Sequence, residues 1–330
     1  MRAAYINETG PAENLIVGEL PDPTPAASEV LVRVKVAALN PVDTYIRAGN
    51  VAFELPFPFV VGCDLAGVVE AVGEEVTKFA VGDRVWGSNQ GLLGRQGTFA
   101  ELAAVDEKWL YPTPEGVSDE QAAATALVGI TAHLGLFEEA HLQQDEIVLV
   151  SGGSGAVGST VMQMAKANGN KIVATTSSQP KIEYCQKLGA DLTINYRTEN
   201  IAERVREKYP EGVHVWWETA RTPNFEPAIA SLTRGGRMVI MAGRDARPEF
   251  PVGPFYANCN KLLGFVMFLA PPEAQDNAAD DINRWLAEGA IKTRIDRVAT
   301  LEETAELHAL QEASTVDAQD KVTGKLLVKM

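Results

Sequence analysis

The pattern of hydrophobic and polar positions changes near residue 120. Before that point short β-type runs predominate: residues 29–36 alternate with a period of two, and residues 67–73 form another short apolar run. Turn sequences rich in Gly, Pro and Asp separate such runs. This part of the chain therefore predicts an irregular, mostly antiparallel β domain.

After residue 120, strand-like apolar runs alternate with segments of helical periodicity. The predicted strands are 147–150, 171–176, 191–195, 213–218, 237–242 and 263–268. The predicted helices between them are 159–168, 181–188, 201–209 and 225–232. Strands alternating with helices are typical of an α/β fold with a doubly wound parallel sheet. The remaining chain predicts helices at 274–287 and 302–311, with a strand between them and a terminal strand at 325–329.

Length and composition narrow the class of protein. A chain of 330 residues suggests two domains or one large α/β unit. With 29 Lys and Arg against 44 Asp and Glu, a net charge of −15 argues against nucleic acid and anionic membranes as partners. Three scattered cysteines imply no disulfide framework. No signal peptide is evident and the longest apolar run, 262–270, is too short to span a membrane, so we expect a cytoplasmic protein.

The strongest local motif is the glycine-rich turn after the predicted strand at 147–150. Gly153, Gly155 and Gly158 have the G-x-G-x-x-G spacing and open a helix. We assign the tight turn to Gly153, close approach to a pyrophosphate to Gly155 and helix–sheet packing to Gly158. The helix N-terminus would bind the phosphates of a dinucleotide. The alternative is a glycine turn without a ligand.

The end of the second strand of this region favours NADPH over NADH. An NAD-binding domain places an Asp or Glu here for the ribose 2′-hydroxyl, whereas residues 172–181 contain no acid. Ser177 leaves room for a 2′-phosphate and Lys181 supplies a cation, while Tyr196 and Arg197 could close the pocket. Alternatively, Lys181 is a solvated surface lysine and Tyr196 covers the sheet edge.

Several motifs together resemble a known superfamily. They are Gly-Cys-Asp-Leu-Ala-Gly at 62–67, Val-Gly-Asp-Arg-Val at 81–85, Gly-Ser-Gly-Ala-Val-Gly at 153–158 and Gly-Lys-Leu-Leu-Val at 324–328. The chain resembles the medium-chain dehydrogenase/reductase superfamily over its whole length. The segment Asn-Pro-Val-Asp-Thr-Tyr-Ile-Arg-Ala-Gly at 40–49 is similar to its quinone oxidoreductase, zeta-crystallin-like branch. The resemblance implies a GroES-like catalytic domain at 1–124, completed by 269–330, a Rossmann domain at 125–268 and an active site in the cleft between them.

The same resemblance predicts that no zinc is bound. The positions at which zinc-dependent members carry catalytic ligands correspond to Asn40, Cys63 and Leu127, and the four-cysteine lobe for structural zinc is missing. Cys63 beside Asp64 leaves a metal as a minor alternative.

Without a Lewis acid, the substrate must accept hydride readily, as a quinone or an activated alkene does. The resemblance marks Asn40 and Tyr45 as pocket residues that could hydrogen-bond to the substrate oxygen or the nicotinamide ribose. Asp43 and Arg47 are further catalytic candidates, unless they form a structural ion pair, and Tyr45 has packing as its alternative role. Relatives carry a second tyrosine near Val51 and Ala52, which this chain lacks. Its absence counts against enoyl-thioester reduction.

The resemblance also implies further cofactor contacts. The residues that match them are Ser154, Gly155, Ala156 and Val157 at the phosphate turn; Ser177, Lys181 and Tyr196 at the 2′-phosphate; Thr131, Met267 and Phe268 near the nicotinamide; Gly243 and Arg244 near the adenosine; and Lys325 on the terminal strand.

Three functional hypotheses follow. The first is zinc-independent, NADPH-dependent hydride transfer to a quinone. The second is reduction of an α,β-unsaturated carbonyl or enoyl thioester, and the third is an NADPH-binding sensor or structural protein with little catalysis. The resemblance also implies a homodimer or homotetramer, formed through the sheet edge at 263–268.

Overall fold

The computed structural model describes residues 1–51, 53–316, 319 and 321–330. The strands are β1 Arg2–Ile6, β2 Ile16–Glu19, β3 Glu29–Leu39, β4 Phe59–Val60, β5 Asp64–Val72, β6 Arg84–Gly87, β7 Leu102–Asp106, β8 Leu110–Pro112, β9 Ile147–Ser151, β10 Lys171–Thr176, β11 Leu192–Asn195, β12 Val213–Glu218, β13 Leu232–Ile240, β14 Lys261–Gly264, β15 Ile295–Thr300 and β16 Lys325–Lys329. The α-helices are α1 Pro41–Arg47, α2 Asp119–His133, α3 Ala156–Ala167, α4 Gln179–Lys187, α5 Ile201–Lys208, α6 Phe225–Ser231, α7 Val252–Ala257, α8 Pro272–Glu288 and α9 Thr304–Thr315.

The chain divides into two compact units. Unit 1 contains residues 1–127, 279–287 and 293–330, and unit 2 contains residues 128–278 and 288–292. The chain therefore enters unit 1 twice more after leaving it.

Unit 1 is built from two largely antiparallel sheets. One has the order β2-β1-β4, and the other has the order β15-β16-β3-β5-β6-β8 with β7 also paired to β3. The terminal strand β16 lies beside β3, which belongs to the first part of the chain. The alternation in β3 points Val30, Val32 and Val34 into a core shared with Leu65 and Val85.

Unit 2 is a six-stranded parallel sheet with the order β11-β10-β9-β12-β13-β14. The chain starts in the centre at β9, moves outwards to β11, then crosses back to β12. This order confirms the predicted Rossmann-type, doubly wound α/β fold. Its core on one face includes Leu149, Val173, Trp216 and Met238.

The structure differs from the sequence prediction in several places: β13 begins at Leu232 rather than at residue 237, and α7 was not predicted. The last strand of the parallel sheet is Lys261–Gly264 rather than 263–268, and Met267 and Phe268 instead lie in a 3₁₀ turn, Met267–Leu269. The helix α2 was missed because it is apolar on almost every side, so it shows no amphipathic period. It continues into a π-helical segment, Leu134–Glu139. Within the described residues, every helix is too short or too polar to cross a bilayer.

Candidate active site

The glycine turn of unit 2 lies at the carboxyl end of the central strand β9, beside the crossing from β9 to β12. Gly152 has a φ of 77°, a backbone conformation that favours glycine. The tight turn therefore belongs to Gly152, and its assignment to Gly153 was wrong. Gly153 is required for packing instead, because a Cβ there would lie 2.8 Å from Met162 Sδ and 2.9 Å from Ala174 Cβ.

Gly158 and Gly155 differ in what surrounds them. A Cβ on Gly158 would lie 2.3 Å from the Gly152 carbonyl oxygen, so the close approach of α3 to the turn requires glycine. A Cβ on Gly155 would have its nearest neighbour, the same oxygen, at an ordinary 3.5 Å, and the φ of Gly155 is −74°. Neither packing nor backbone conformation requires glycine at 155. The open space beside it fits a pyrophosphate that approaches the backbone closely.

The start of α3 supplies the donors for such a group. Gly155 is the N-cap residue and its helix has twelve residues, Ala156–Ala167. The first N–H groups of any α-helix have no acceptor within the helix, and the helix dipole makes this end positive. The backbone of Ala156 and Val157 can therefore hydrogen-bond to phosphate oxygens, and Ser154, in the turn before them, is partly exposed.

The predicted 2′-phosphate residues follow two neighbouring strands. Ser177 follows β10, Tyr196 follows β11, and the Tyr196 N–H donates to the Thr176 carbonyl at 3.1 Å. Lys181 lies in the first turn of α4, after the N-cap Ser178. Adjacent parallel strands end at the same edge of the sheet, so the backbones of these residues lie close to one another.

The other predicted cofactor residues of unit 2 occupy several positions. Gly243 and Arg244 follow β13, and Met267 and Phe268 follow β14, which places both pairs after carboxyl ends of the sheet. Gly243 has a φ of 85°, so its own turn explains the glycine. Thr131 is buried in α2. Loops after the carboxyl ends of parallel strands are where α/β sheets bind ligands.

Unit 1 carries a row of polar side chains across four neighbouring strands, which we call the polar row: Lys325, Asn40, Asp64 and Ser88. Leu326 of β16 pairs with Leu39 of β3, so Lys325 lies opposite Asn40. Ala38 of β3 pairs with Asp64 of β5, and the pairing of Leu65 with Gly87 places Ser88 opposite Asp64. The strand register thus brings together residues up to 285 positions apart.

Hydrogen bonds join the members of the polar row. Asn40 Nδ2 donates to Asp64 Oδ2 at 2.8 Å and to the Ala38 carbonyl at 3.3 Å. Ser88 Oγ donates to Asp64 Oδ1 at 2.6 Å, and the Lys325 ammonium donates to Asn40 Oδ1. Lys325 Nζ also lies 3.7 Å from Asp64 Oδ2. Both hydrogens of the Asn40 amide are therefore used inside the protein.

Burial perturbs the ionisable groups around the polar row. Burial raises the pKa of Asp43 to about 7, against the lowering effect of the Cys63 thiol and the Asn40 N–H. Burial also raises the pKa of Asp64, opposed by the Lys325 charge, and raises that of the Cys63 thiol well above its usual range. The pKa of Lys325 is lowered by burial, opposed by Asp64 and Asp43. At neutral pH, Cys63 is therefore a neutral thiol.

The predicted catalytic residues separate into two groups. Asn40 and Asp43 belong together at the start of α1, where Asp43 Oδ2 accepts the Asn40 N–H at 2.7 Å. Arg47, at the end of α1, is fully buried, donates to the Gly10 carbonyl at 2.7 Å and forms an ion pair with Glu312. The alternative pairing of Asp43 with Arg47 is thus not what the structure shows. Tyr45 is half-buried on α1, while Ala52, near which relatives carry the second tyrosine, lies outside the described residues.

Comparison with known proteins identifies the family. The model for the alcohol dehydrogenase GroES-like domain matches residues 26–115, and the model for zinc-binding dehydrogenases matches residues 156–284. A quinone oxidoreductase of Homo sapiens is 30% identical over 310 residues, covering 93% of each chain. The chain belongs to the medium-chain dehydrogenase/reductase superfamily, in its zeta-crystallin-like quinone oxidoreductase branch. It is an oxidoreductase of this superfamily.

Other similar proteins have different substrates or cofactors in their names. A 2-methylene-furan-3-one reductase of Solanum lycopersicum is 39% identical over 228 residues, 67% of this chain and 57% of that protein. A solved NAD-dependent alcohol dehydrogenase superposes with a TM-score of 0.90 at 31% identity, covering all of both chains. Mycobacterial Rv1454c complexed with NADPH superposes with a TM-score of 0.85 at 27% identity, also over all of both chains. These relatives support a nicotinamide cofactor for this superfamily member.

A zinc ion does not fit the three positions that the resemblance connects with the catalytic metal, Asn40, Cys63 and Leu127. Metal ligands must present lone pairs, but Leu127 presents only its backbone N–H, 3.3 Å from Asp64 Oδ2. Asn40 Oδ1 already accepts from the Lys325 ammonium, so a metal would have to compete with this hydrogen bond. That leaves Cys63 as the one side chain of the three that could be a ligand. Among the residues that the structure describes, no group of three His, Cys, Asp or Glu side chains could hold a metal.

Two residues and one contact of these regions escaped the sequence analysis. Ser88 gave no signal, because a serine after a short strand is common. Gly152 could have been found as the first glycine after β9. The engagement of Lys325 with Asn40 depends on the pairing of β16 with β3, which no local pattern reveals.

Proposed function

We propose that this protein is an NADPH-dependent reductase that transfers a hydride to a quinone without zinc. The observation that carries the proposal is Gly155, a glycine that the fold itself does not require, beside the donors at the start of α3. Similarity to a human quinone oxidoreductase over nearly the whole chain supports the choice of acceptor.

The preference for the phosphorylated cofactor rests on the charges after β10. Residues 177–181 contain no carboxylate, and Lys181 lies in the first turn of α4. A cation and a helix N-terminus both stabilise a dianionic 2′-phosphate, whereas an acid would repel it. The NADPH complex of a related structure supports the same choice.

The reaction needs little from the protein beyond binding and orientation. Bound NADPH would supply the hydride, and the acceptor would become a hydroquinone after taking a proton from water. Tyr45 lies on α1, and the polar row holds Asn40 at the start of this helix. Since both hydrogens of the Asn40 amide are engaged, we assign Asn40 a positioning role and the contact with the acceptor oxygen to Tyr45.

We further propose that the protein forms a homodimer or homotetramer through the β14 edge of the parallel sheet. β14 is the last strand in the sheet order, and Leu262 in it is 43% exposed. Val266 and Leu269, which follow, are 54% and 73% exposed, so an apolar surface continues past the edge strand. An exposed apolar edge strand is a template for pairing with another chain.

A substrate panel tests the proposed activity. Purified protein is incubated with NADPH and either small quinones or α,β-unsaturated ketones, and NADPH absorbance is followed. We expect the highest kcat/KM on quinones, unchanged by a chelator. Turnover of enones without quinones would instead support the second hypothesis. Tight NADPH binding without turnover of any acceptor would support the sensor or structural protein.

A further inference from the structure

Lys325 is a buried lysine whose donors are directed at other buried groups. Its side chain is 3% exposed, and that of Asp64 is fully buried. An ammonium removed from water is costly unless a carboxylate and hydrogen-bond acceptors surround it. Asp64 supplies the charge and Asn40 supplies an acceptor, so the polar row is built around this cation.

The resemblance connects Asn40, Cys63 and Leu127 with a catalytic metal, and these three residues lie around the Lys325 ammonium. Asn40 accepts a hydrogen bond from Lys325. The Leu127 N–H and the Lys325 ammonium both approach Asp64 Oδ2, at 3.3 and 3.7 Å. Cys63 precedes Asp64 in the chain, and its thiol lies next to Asp43, whose carboxylate accepts the Asn40 N–H at 2.7 Å. The ammonium thus lies among the groups where a ligated cation would be expected.

We propose that Lys325 is a built-in cation that replaces the metal ion of zinc-dependent relatives and positions the start of α1 for the reaction. This inference rests on the proposed quinone reductase function. Lys325 fixes the oxygen of the Asn40 amide, and Asp64 fixes its nitrogen. Asn40 is the N-cap of α1, the helix that carries Tyr45. A fixed charge at 325 thereby holds the Asn40 side chain in place at the start of α1.

This role differs from the predicted contact between Lys325 and the cofactor. A lysine that binds a phosphate or an amide of the dinucleotide needs donors pointing away from the protein. The Lys325 ammonium is almost inaccessible and is engaged with Asn40 and Asp64. We therefore expect Lys325 to affect turnover much more than cofactor affinity.

A double substitution that removes both charges tests whether Lys325 positions Asn40 for the reaction or only balances the charge of Asp64. Lys325→Met leaves Asp64 buried without its cation, so we expect a large loss of stability against urea. In Asp64→Asn/Lys325→Met both charges are removed, and we expect stability to recover. We also expect kcat with a quinone to remain at least tenfold below wild type, with the NADPH Kd within about twofold. If both stability and kcat recover in the double variant, Lys325 is only a structural partner of Asp64. If the NADPH affinity falls as much as kcat does, Lys325 contacts the cofactor. Either result overturns the proposal.

Zinc binding provides a readout that does not depend on turnover. Asn40→Cys adds a thiol beside Cys63 and Asp64 but keeps the ammonium among them. Adding Lys325→Met removes the competing cation and leaves two sulfurs and a carboxylate as donors. We expect the double variant to bind one zinc ion at least 100-fold more tightly than Asn40→Cys alone, as measured against a chelating dye. Equal zinc affinities would show that Lys325 does not occupy the cation position, even if wild type reduced quinones as proposed. If the wild-type protein reduces no quinone, the zinc titration still shows whether Lys325 occupies the cation position.

Discussion

Lys181 is the residue on which the choice of cofactor depends. We expect Lys181→Glu to raise the NADPH Kd about 10- to 100-fold, because hydrogen bonds to a charged group contribute about 1.5–3 kcal/mol each. The NADH Kd should change by less than about threefold, since NADH has no 2′-phosphate. Tryptophan fluorescence titration measures both.

The matched control for this substitution is Lys187→Glu, at the other end of the same helix. Lys187 is exposed in the last turn of α4, so the helix has the same change in net charge without a change beside Ser177. Its NADPH affinity should remain near wild type. Equal losses for NADPH and NADH in Lys181→Glu would place Lys181 outside the 2′-phosphate pocket.

At the scale of single residues, the sequence predicted a functional residue where the spacing of neighbouring residues was itself diagnostic. Gly155 and Gly158 could be recognised because a fixed spacing after a strand has a mechanical reason. The pairing of Arg47 with Glu312 could not be foreseen, because its two members are 265 residues apart. The same holds for Lys325 and Asn40.

At the scale of an element, substitutions in the glycine turn after β9 can distinguish glycines needed for dinucleotide binding from glycines needed for folding. Gly155→Ala adds a Cβ that the protein can accommodate, with its nearest neighbour at 3.5 Å. We expect an unfolding free energy within about 0.5 kcal/mol of wild type, as for a surface substitution, but an NADPH affinity at least tenfold lower. Urea unfolding and a binding titration on the same sample measure the two effects.

Gly158→Ala is the contrasting change in the same turn. Its Cβ would lie 2.3 Å from the Gly152 carbonyl oxygen, so the backbone of the turn has to move. We expect a loss of about 1–3 kcal/mol in the unfolding free energy, the usual cost of overpacking. If Gly155→Ala destabilised the protein as much as Gly158→Ala, then packing rather than a ligand would explain the glycine at 155.

The strands of unit 2 were predicted better than its helices and ends. β10 and β12 match their predicted ranges because short apolar runs between helical segments are distinctive. β14 was displaced because residues 262–270 are apolar throughout, and a continuous apolar run does not show where a strand stops. In α2 a similar uniformity concealed a helix.

At the scale of the whole molecule, oligomerisation through β14 is testable with a charged edge residue. Leu262→Lys places a cation on the edge strand, and lysines on edge strands oppose pairing with another chain. We expect the mass measured by light scattering to fall to that of a monomer, or of a dimer if wild type is a tetramer. Val81→Lys is the control that should leave the mass unchanged, because Val81 is an apolar residue of unit 1 that is 66% exposed. A wild-type monomer, or a mass insensitive to Leu262→Lys, would contradict the assignment of this edge.

The two-part organisation was visible in the sequence, since its pattern of apolar positions changes near residue 120. The return of the chain to unit 1 could be predicted because the strand pattern of the parallel sheet is complete before the last 60 or so residues. Those residues therefore had to belong elsewhere. Which strand the terminal segment pairs with, and in which register, depends on long-range packing that no window of sequence contains.

The central claim, that a phosphorylated dinucleotide binds at the glycine turn after β9, is tested most directly by calorimetry. Wild-type protein is titrated with NADPH and with NADH at the same salt concentration. The account predicts one binding site per chain, with NADPH bound at least tenfold more tightly than NADH. Folded protein that releases no heat with either dinucleotide, and shows no change in thermal stability in their presence, would contradict it.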